Sequence, residues 1–309
     1  VNWIKWSILN SNLQDDFIKS LAIQIRYLSK NLEMHLMGNH LIANGKALIF
    51  AGLFFEGNEA SNWYELGLKI LKQELPEQIL SDGGNFELST MYHAIILEDL
   101  LDLVNIHQAF EKEIPQTILN NISPMLNWLK SMCHPDGEIS FFNDSALGVA
   151  PTYSQLLGYA KKLNIPHWKP KKLQLTHLKE SGYIRVENKS IVCLIDVAKI
   201  GAEYIPGHGH ADTLSFELSI FGNRVVVNSG TSLYEYNQLR HKERSTAAHS
   251  TIEIDGLNSS EVWHNFRVAR RARVFNLIKK ETSENVKISA YHDGYKRILG
   301  SPKHYREWY

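Results

Sequence analysis

The residue types best suited to moving protons gather in a short glycine-rich stretch at residues 206–212, Pro-Gly-His-Gly-His-Ala-Asp. Its two histidines, His208 and His210, alternate with glycine, which lets the backbone approach a ligand closely. Imidazole changes charge near neutral pH and is also the commonest metal ligand. The stretch therefore predicts a catalytic site, a metal site or both, with a purely structural loop as the alternative.

Two further polar pairs stand at the starts of apolar helical segments. Asn39 and His40 precede Leu-Ile-Ala-Asn-Gly, and Tyr92 and His93 precede Ala-Ile-Ile-Leu. Taken alone, Asn39 fits a helix N-cap, and Tyr92 fits a core tyrosine whose hydroxyl reaches the surface. Both pairs are also candidates for a polar site, and the local pattern leaves these interpretations open.

The segments that must position these side chains change character along the chain. In the first half, apolar residues at helical spacing predict helices over residues 13–30, 40–55, 60–75, 87–104, 115–132 and 152–162. The third is expected to stop before Pro76, because proline disrupts a helix interior. Short connections favour antiparallel helical hairpins.

Beyond residue 170 the apolar period falls to two and β-branched residues become frequent, which predicts strands. Strands are expected at 183–186, 190–197 and 214–220, with a hairpin turn at 221–224 leading into 225–227. Further strands are expected at 250–255, 266–277 and 286–291. Helices followed by strands predict a multidomain α+β chain with a helical domain at 1–170 and an antiparallel β domain at 171–309. Both ends read as cut, so we expect a fragment that lacks part of each domain.

The overall charge limits the kinds of ligand that the chain as a whole can attract. Lysine plus arginine and aspartate plus glutamate number 33 each, so an acidic ligand must be attracted by a local basic patch. No basic run or binding motif indicates nucleic acid, and no stretch is apolar enough to span a membrane. The two cysteines, Cys133 and Cys193, favour buried free thiols over a disulfide.

Several separate motifs, taken in order, resemble the heparinase II/III family. They are Gly-Asn-His at 38–40, Met-Tyr-His at 91–93, Gly-His-Gly-His-Ala-Asp at 207–212, Asn-Ser-Gly-Thr at 228–231 and Ser-Thr-Ala-Ala-His-Ser-Thr at 245–251; His-Pro-Asp-Gly at 134–137 and Phe-Asn-Asp-Ser at 142–145 add weaker support. The resemblance implies an incomplete (α/α) toroid followed by an antiparallel β-sandwich, with the active site in the cleft between them. It also implies a polysaccharide lyase, which is a carbon–oxygen lyase, with a periplasmic or secreted location.

By the same resemblance, Asn39 neutralises the carboxylate of a uronate while Tyr92 and His208 exchange protons with the substrate. β-Elimination needs these types, because the C5 proton becomes acidic only when a donor spreads the charge of the enolate-like transition state. A base then removes that proton and an acid protonates the departing O4. Tyr92 or His208 is the base, depending on the epimer at C5. His40, His93 and Arg244 are expected to bind substrate beside them.

The family also implies a structural zinc ion, held here by His210, Asn228 and His249. Asn228 stands where an aspartate is usual, and a neutral amide is a poorer zinc ligand than a carboxylate. Arg240, Lys242 and the arginines at 267, 270, 271 and 273 either bind sulfate or carboxylate groups in the cleft or form a solvated strand face.

Three functions follow from these patterns. The leading one is a lyase acting on heparin-like, heparan-like or alginate-like chains. The second is a catalytically weakened polysaccharide-binding protein of an exopolysaccharide locus, which Asn228 favours. The third is a glycoside hydrolase, which needs two carboxylic acids beside the scissile bond, and no such pair is evident near the motifs.

Overall fold

The computed structural model describes residues 1–9, 14–166, 173–282 and 285–309. Its first half contains seven helices in the described residues: α1 (Asn2–Leu9), α2 (Asp15–Lys30), α3 (Asn39–Phe54), α4 (Asn58–Gln78), α5 (Thr90–Ala109), α6 (Gln116–Ser131) and α7 (Tyr153–Lys162). The six helices expected from apolar periodicity are confirmed, with their ends shifted by a few residues. The short α1 was not predicted.

Helix α4 does not stop before Pro76 but continues to Gln78. That prediction is wrong because a proline in the last turn removes only one backbone hydrogen bond. The turn is held instead by the buried Gln78 side chain, which donates to the Gly38 carbonyl and to Glu74 Oε2, both at 2.8 Å.

The helices pack so that the N-terminal ends of α3 and α5 meet. Helix α3 lies against α4 and α5, and α5 also contacts α6 and α7. The α3–α4 approach is close, since a Cβ at Gly67 would lie 2.7 Å from the Gly45 carbonyl oxygen. At the meeting point the Asn39 amide donates to Glu87, three residues before α5 begins. Two of the predicted polar pairs are therefore brought to one place.

The second half forms antiparallel sheets. The strands are β1 (Leu175–Leu178), β2 (Tyr183–Glu187), β3 (Ile191–Asp196), β4 (Phe216–Ile220), β5 (Asn223–Val226), β6 (Val262–Trp263), β7 (Arg267–Val268), β8 (Val274–Glu281), β9 (Val286–His292) and β10 (His304–Trp308), with helix α8 (Gln238–Arg244) between β5 and β6. The sheets run β1-β2-β3-β4-β5, β10-β9-β8 and β6-β7. The predicted β4–β5 hairpin is confirmed, and its turn holds Phe221 at φ +50° and Gly222 at φ +85°.

Two strand predictions fail. Residues 250–255 carry only an isolated bridge, from Ile254 to Leu257, because the preceding residues form a 3₁₀ helix, Thr246–Ala248, that turns His249 inward toward His210. Residues 266–277 divide into β7 and the start of β8. Between them the Arg271 guanidinium donates to the carbonyls of Ala202 and Glu203 rather than continuing a sheet.

The middle strands β2 and β3 of the five-stranded sheet are covered on both faces. One face packs on the helical half through a cluster that includes Trp128, Tyr183 and Leu194. The alternate residues Ile184 and Ile195 point the other way and share a cluster with Ile288 of the three-stranded sheet. The order of a helical part followed by antiparallel sheets is thus as predicted, whereas the expected boundary at 170 lies outside the described residues.

Buried polar contacts also join the two halves. The His134 ring bonds Glu217 Oε2 and Ser219 Oγ, each at 2.7 Å, and Arg185 Nη1 donates to the Cys133 carbonyl at 2.7 Å. Cys133 and Cys193 are both free thiols, as expected. Within the described ranges, no helix is long and apolar enough to cross a bilayer.

Candidate active site

Asn39 is the first residue of α3 and not its cap. Gly38 holds the cap position at φ +56°, and no side chain caps the helix. The Asn39 backbone N–H donates to Glu87 Oε1 at 3.2 Å, while its partly exposed carboxamide has no hydrogen-bond partner in the described part of the chain. The N-cap interpretation is therefore wrong, and the carboxamide is free to bind a ligand.

Tyr92 lies in the first turn of α5, where the Ser89 hydroxyl caps the helix by accepting from the Tyr92 amide. Its ring stacks on the His208 ring with centroids 3.9 Å apart and planes 27° apart. The Tyr92 hydroxyl donates to the Tyr234 hydroxyl at 3.1 Å. Burial raises the pKa of Tyr92, and the bond to Tyr234 only partly opposes this rise, so the phenol is neutral at pH 7.

His208 is held between two carboxyl groups. Its Nδ1 lies 2.8 Å from Asp144 Oδ2, and its Nε2 lies 3.3 Å from Glu87 Oε2. Because the ionised Asp144 can only accept, Nδ1 carries a proton and Nε2 is left as the nitrogen that can take or give one. The ring therefore has the tautomer that a general acid or base requires.

The Asp144 carboxylate binds three side chains of the site, those of His208, His210 and Arg240. This buried carboxylate accepts from His210 Nε2 at 2.8 Å and from both terminal nitrogens of the buried Arg240, the longer of these bonds being 2.8 Å. Although burial alone would raise the pKa of Asp144, the hydrogen bonds from His208, His210 and Arg240 hold it well below its usual range. Asp144 is therefore a permanent anion that fixes both histidines of the 206–212 stretch.

Glu87 is a second buried carboxyl group, and it faces the other nitrogen of His208. Burial raises the pKa of Glu87, while His208 and the Asn39 amide act in the opposite direction. A carboxylate 3.3 Å from a bare imidazole nitrogen would be repelled by its lone pair. A proton held between Glu87 Oε2 and His208 Nε2 would relieve this repulsion.

His210 and His249 face each other away from the cleft, with Nδ1 of His210 3.1 Å from Nε2 of His249. Their outer nitrogens donate to Asp144 Oδ1 and to the Ser245 carbonyl. Burial lowers the pKa of His210 and lowers that of His249 to about 3, so both inner nitrogens carry lone pairs. Two nitrogens on one tetrahedral zinc lie about 3.3 Å apart, so this pair fits such an ion.

The third expected ligand, Asn228, is less well suited. Its Oδ1 accepts a long 3.4 Å bond from the Ser250 amide, and its buried Nδ2 has no partner in the described part of the chain. Within those same ranges no three His, Cys, Asp or Glu side chains converge on one point. A metal here would therefore rest on two imidazoles and a neutral amide.

Two residues expected to bind substrate point elsewhere. His93 is fully buried, with Nε2 bonded to the Met125 carbonyl and Nδ1 accepting from the Asn85 amide. Arg244 is also buried and donates to the carbonyls of Gly209, His264 and Arg267. Both side chains are buried and bonded to backbone groups, so neither is exposed to a ligand; Arg244 instead binds the Gly209 carbonyl of the histidine loop.

Two other candidates from the sequence, His40 and Arg240, differ in whether they can reach a ligand. His40 is exposed and lies 3.5 Å from Glu33, at the rim of the site near Glu87. The Arg240 guanidinium, a candidate for binding sulfate or carboxylate groups, already donates to Asp144 and to the Asn265 carbonyl. Of these two, His40 stays available as a substrate-binding residue at the cleft.

Sequence reasoning missed Glu87, Asp144 and Tyr234 as parts of the site. Glu87 lies five residues before Tyr92, and Asp144 lies in the Phe-Asn-Asp-Ser stretch that had been noted only for its resemblance. A signal was present, since two carboxylates sit in otherwise apolar or small-residue surroundings where a charge is costly unless it is paired. The sequence does not say with which partner.

One wall of the cleft is aromatic. Tyr234 stacks on Phe266 at 5.6 Å, and the Arg240 guanidinium lies over both rings. Next to them is a groove of about 510 Å³ whose lining includes Tyr236 and Trp263, exposed by 70% and 54%. Exposed rings of this size beside a polar site offer flat faces on which the C–H face of a sugar can pack.

Two models of one protein family match the two halves of the chain, in agreement with the order of its motifs. The domain described as "Heparinase II/III N-terminus" matches residues 6–163, and "Heparinase II/III-like, C-terminal" matches residues 170–309. A heparin-sulfate lyase of Bacteroides stercoris is 27% identical over 241 residues, which cover 72% of this chain and 36% of that protein. A heparin-sulfate lyase of Pedobacter heparinus is 26% identical over 269 residues, covering 79% of this chain and 40% of that protein.

Among solved structures, a crystal structure of heparinase III superposes with a TM-score of 0.80 at 21% identity, covering 99% of this chain and 51% of that one. This likeness shows the fold. The chain spans about two fifths of the length of these two relatives and half of the length of the solved structure.

Proposed function

The chain belongs to the heparinase II/III family, and from that membership and the arrangement of the cleft we propose that it is a lyase that cleaves uronate-containing acidic polysaccharide by β-elimination. The single observation that carries the proposal is the stacked pair of Tyr92 and His208, with the unpartnered Asn39 carboxamide at the same helix junction. An acid, a base and a neutral donor are the three groups that this elimination needs.

We assign one step of the elimination to each of these three residues. Asn39 donates to the uronate carboxylate, and His208 Nε2, in the state in which Glu87 holds the proton between them, removes the C5 proton. The electron pair of the C5–H bond forms the C4=C5 double bond as the C4–O4 bond breaks. Tyr92, which is neutral because burial raises its pKa, protonates the departing O4.

The relative position of acid and base favours one stereochemistry. Because the two rings are stacked at 3.9 Å, both groups reach the sugar from one side. A syn elimination of this kind suits glucuronate, in which H5 and O4 lie on the same face of the ring. The syn geometry therefore places glucuronate-containing chains ahead of iduronate-rich ones and of the guluronate blocks of alginate, but it does not separate glucuronate from mannuronate, which has the same C4 and C5 configuration. The two relatives described as heparin-sulfate lyases support heparan-type chains as the substrate class.

The alternative of a catalytically weakened binding protein is supported only by Asn228. The groups assigned to proton transfer do not depend on that residue, since His208 is oriented by Asp144. The hydrolase alternative needs a carboxylic acid on each side of the bond, but Glu87 and Asp144 both lie on His208. We accordingly keep the lyase as the proposal, with an incomplete toroid and a β-sandwich as its domains and a periplasmic or secreted location.

A zinc ion is part of the proposal as a structural group. His210, His249 and the Asn228 oxygen would hold it, and it would cross-link the histidine loop to the 245–249 turn. Bound there, zinc would place positive charge between the two bare imidazole nitrogens of His210 and His249, and none of the steps assigned above depends on it.

The test is the ultraviolet absorbance of the conjugated C4=C5 uronate, followed on heparan-type, iduronate-rich and alginate chains. Tyr92→Phe should lower kcat by roughly 100- to 10,000-fold, the usual share of a general acid, with KM little changed. Tyr27→Phe, on an exposed tyrosine of α2, is the matched control and should behave as the parent. Parent-like turnover by Tyr92→Phe would remove Tyr92 from the chemistry, and a folded parent that releases no unsaturated product would overturn the lyase itself.

A further inference from the structure

A second groove of about 650 Å³ opens on the β half of the chain. It is bounded by the β1–β2 turn, by the segment that follows β3 and by the residues that lead into β8. None of the site residues from Asn39 to His208 described above lines it. Its cationic side chains are Lys179, Lys199, Arg270, Arg271 and Arg273, against two acidic ones, Glu180 and Glu203.

Most of this positive charge is uncompensated. Lys179, Lys199 and Arg273 are exposed, and their side chains have neither an ion-pair partner nor a hydrogen-bond acceptor among residues 1–9, 14–166, 173–282 and 285–309. Arg270 has only a 3.4 Å pair with Glu261, and with 72% of its side chain exposed that pair is weak.

The titration behaviour of neighbouring groups agrees with a positive potential. Burial and then the charge of Lys179 lower the pKa of Lys279 on β8. Burial also lowers the pKa of Arg271, with Arg273 adding to the effect and Glu203 opposing it. The chain therefore holds several like charges close together, an arrangement that an anion would relieve.

The groove adjoins the active site through one segment of backbone. Arg271 donates to the carbonyls of Ala202 and Glu203, at 3.2 and 2.7 Å, and so fixes the segment 200–206. At one end of this segment Ile200 lines the groove and packs on Gly209, between the two histidines of the catalytic loop. Near the other end Ile205 packs on Gly38, beside Asn39. The groove and the cleft thus lie on either side of the same segment.

We propose that this groove binds a distal segment of the same acidic glycan whose uronate is cleaved in the cleft, recognising its sulfate and carboxylate groups. The inference rests on the proposed function for the identity of the chain but not for the existence of an anion site. It supplies the local basic patch that a chain with no net charge needs in order to attract a polyanion. A short oligosaccharide that fills only the cleft would not reach it.

The test compares two charge-reversal variants of equal net charge. Lys199→Glu with Arg273→Glu alters the groove, and Lys72→Glu with Lys112→Glu alters two exposed lysines of the helical half. Affinity for a heparan-type tetrasaccharide and a dodecasaccharide is measured by calorimetry in a Tyr92→Phe background, so that no probe is consumed. Turnover is measured in the active background, and circular dichroism confirms the fold.

The groove variant should bind the dodecasaccharide about tenfold more weakly, with a smaller dependence on salt, since two charge-assisted contacts are lost. Its affinity for the tetrasaccharide should stay as in the helical-half variant. Equal dodecasaccharide affinity in the two variants would overturn the proposal, as would an equal loss on both probes. If the parent cleaves no uronate glycan yet the groove variant alone loses dodecasaccharide affinity, the lyase fails and the groove stands.

Discussion

Replacing Asp144 by asparagine tests the arrangement on which both histidines depend. The change keeps the shape of the side chain but removes a charge that is completely buried. The carboxylate accepts from His208 at 2.8 Å, from His210 at 2.8 Å and twice from Arg240. An asparagine offers one acceptor oxygen, and its NH₂ group must face at least one of these donors.

The loss of stability in Asp144→Asn comes from Arg240, whose buried charge loses its carboxylate partner. Arg240 is buried, and in the described part of the chain Asp144 is its one anionic partner; its other contacts are carbonyl and hydroxyl oxygens and two aromatic rings. Breaking a buried ion pair from one side costs about 3–5 kcal/mol. For a chain of this size we expect Tm to fall by roughly 10 °C. Because the pKa of Asp144 is lowered, the stabilisation is present at neutral pH and down to about pH 4, and is lost only as the pH falls further.

The activity of Asp144→Asn should also fall, for a reason that is independent of its lower stability. Without an ionised acceptor at Nδ1, His208 can adopt the tautomer with its proton on Nε2, which cannot act as a base. Neutralising a histidine-orienting aspartate costs about 10⁴-fold in kcat where this has been measured in serine proteases. We expect a loss of similar order in kcat at temperatures where the variant is fully folded, with a smaller change in KM.

The assay pairs thermal unfolding by circular dichroism with the absorbance assay for unsaturated product. Asp136→Asn is the matched control, because Asp136 also binds an arginine, Arg224, through two hydrogen bonds but on the surface. That variant should lose less than about 1 kcal/mol and no activity. Equal Tm values for the two variants, or an unchanged kcat for Asp144→Asn, would refute the reasoning.

The other predictions concern four separate features. Glu87→Gln keeps an acceptor for the Asn39 amide but cannot share a proton with His208, so kcat should fall by about 100-fold with Tm nearly unchanged; a parent-like kcat would exclude a role for that proton. Trp263→Ala should raise KM severalfold at constant kcat, and a loss confined to kcat would contradict a stacking role. His249→Ala should abolish bound zinc measured by elemental analysis of protein purified without chelators, and a metal-free parent would disprove the site. Burial and the neighbouring Asp212 raise the pKa of Asp196 well above its ordinary value, so stability should decline as the pH rises above about 4, and Asp196→Asn should make that decline shallower while Asp212 keeps its own share; parallel stability curves for parent and variant would contradict it.

The order of helices and strands was predictable because most segments bury one face. Strand β3 alternates between residues that face the helical half and residues that face the second sheet, and that alternation is visible as an apolar run. Helix α8 was missed because Gln-Leu-Arg-His-Lys-Glu-Arg has no apolar stripe; its buried arginines are held by a carboxylate and by carbonyl groups. The β-branched residues Thr251, Ile252 and Ile254 favour a strand over 250–255, but the inward turn of His249 prevents a ladder.

The site was predictable only in part, for a related reason. Asn39, Tyr92 and His208 stand out because polar types interrupt apolar or glycine-rich stretches, and the structure brings all three together. His93 and Arg244 stand out in the same way, yet their polar atoms are used by backbone carbonyls and an amide. The residue type shows that a polar group must be satisfied, but only the fold determines whether its partner is protein or ligand.

The proposed catalytic arrangement is at the same time the junction of the two halves. Asp144 and Glu87 come from the helical half, and the histidine that they hold comes from the β half. Asn143 of the helical half also accepts from the His210 amide and donates to the Leu88 carbonyl, which ties the histidine loop to the start of α5. A shift between the halves would therefore change the distances from His208 to both carboxyl groups at once. For this reason we expect substitutions at the junction to alter kcat and Tm together, whereas substitutions in the basic groove, which lies within the β half, should alter glycan affinity and leave Tm unchanged.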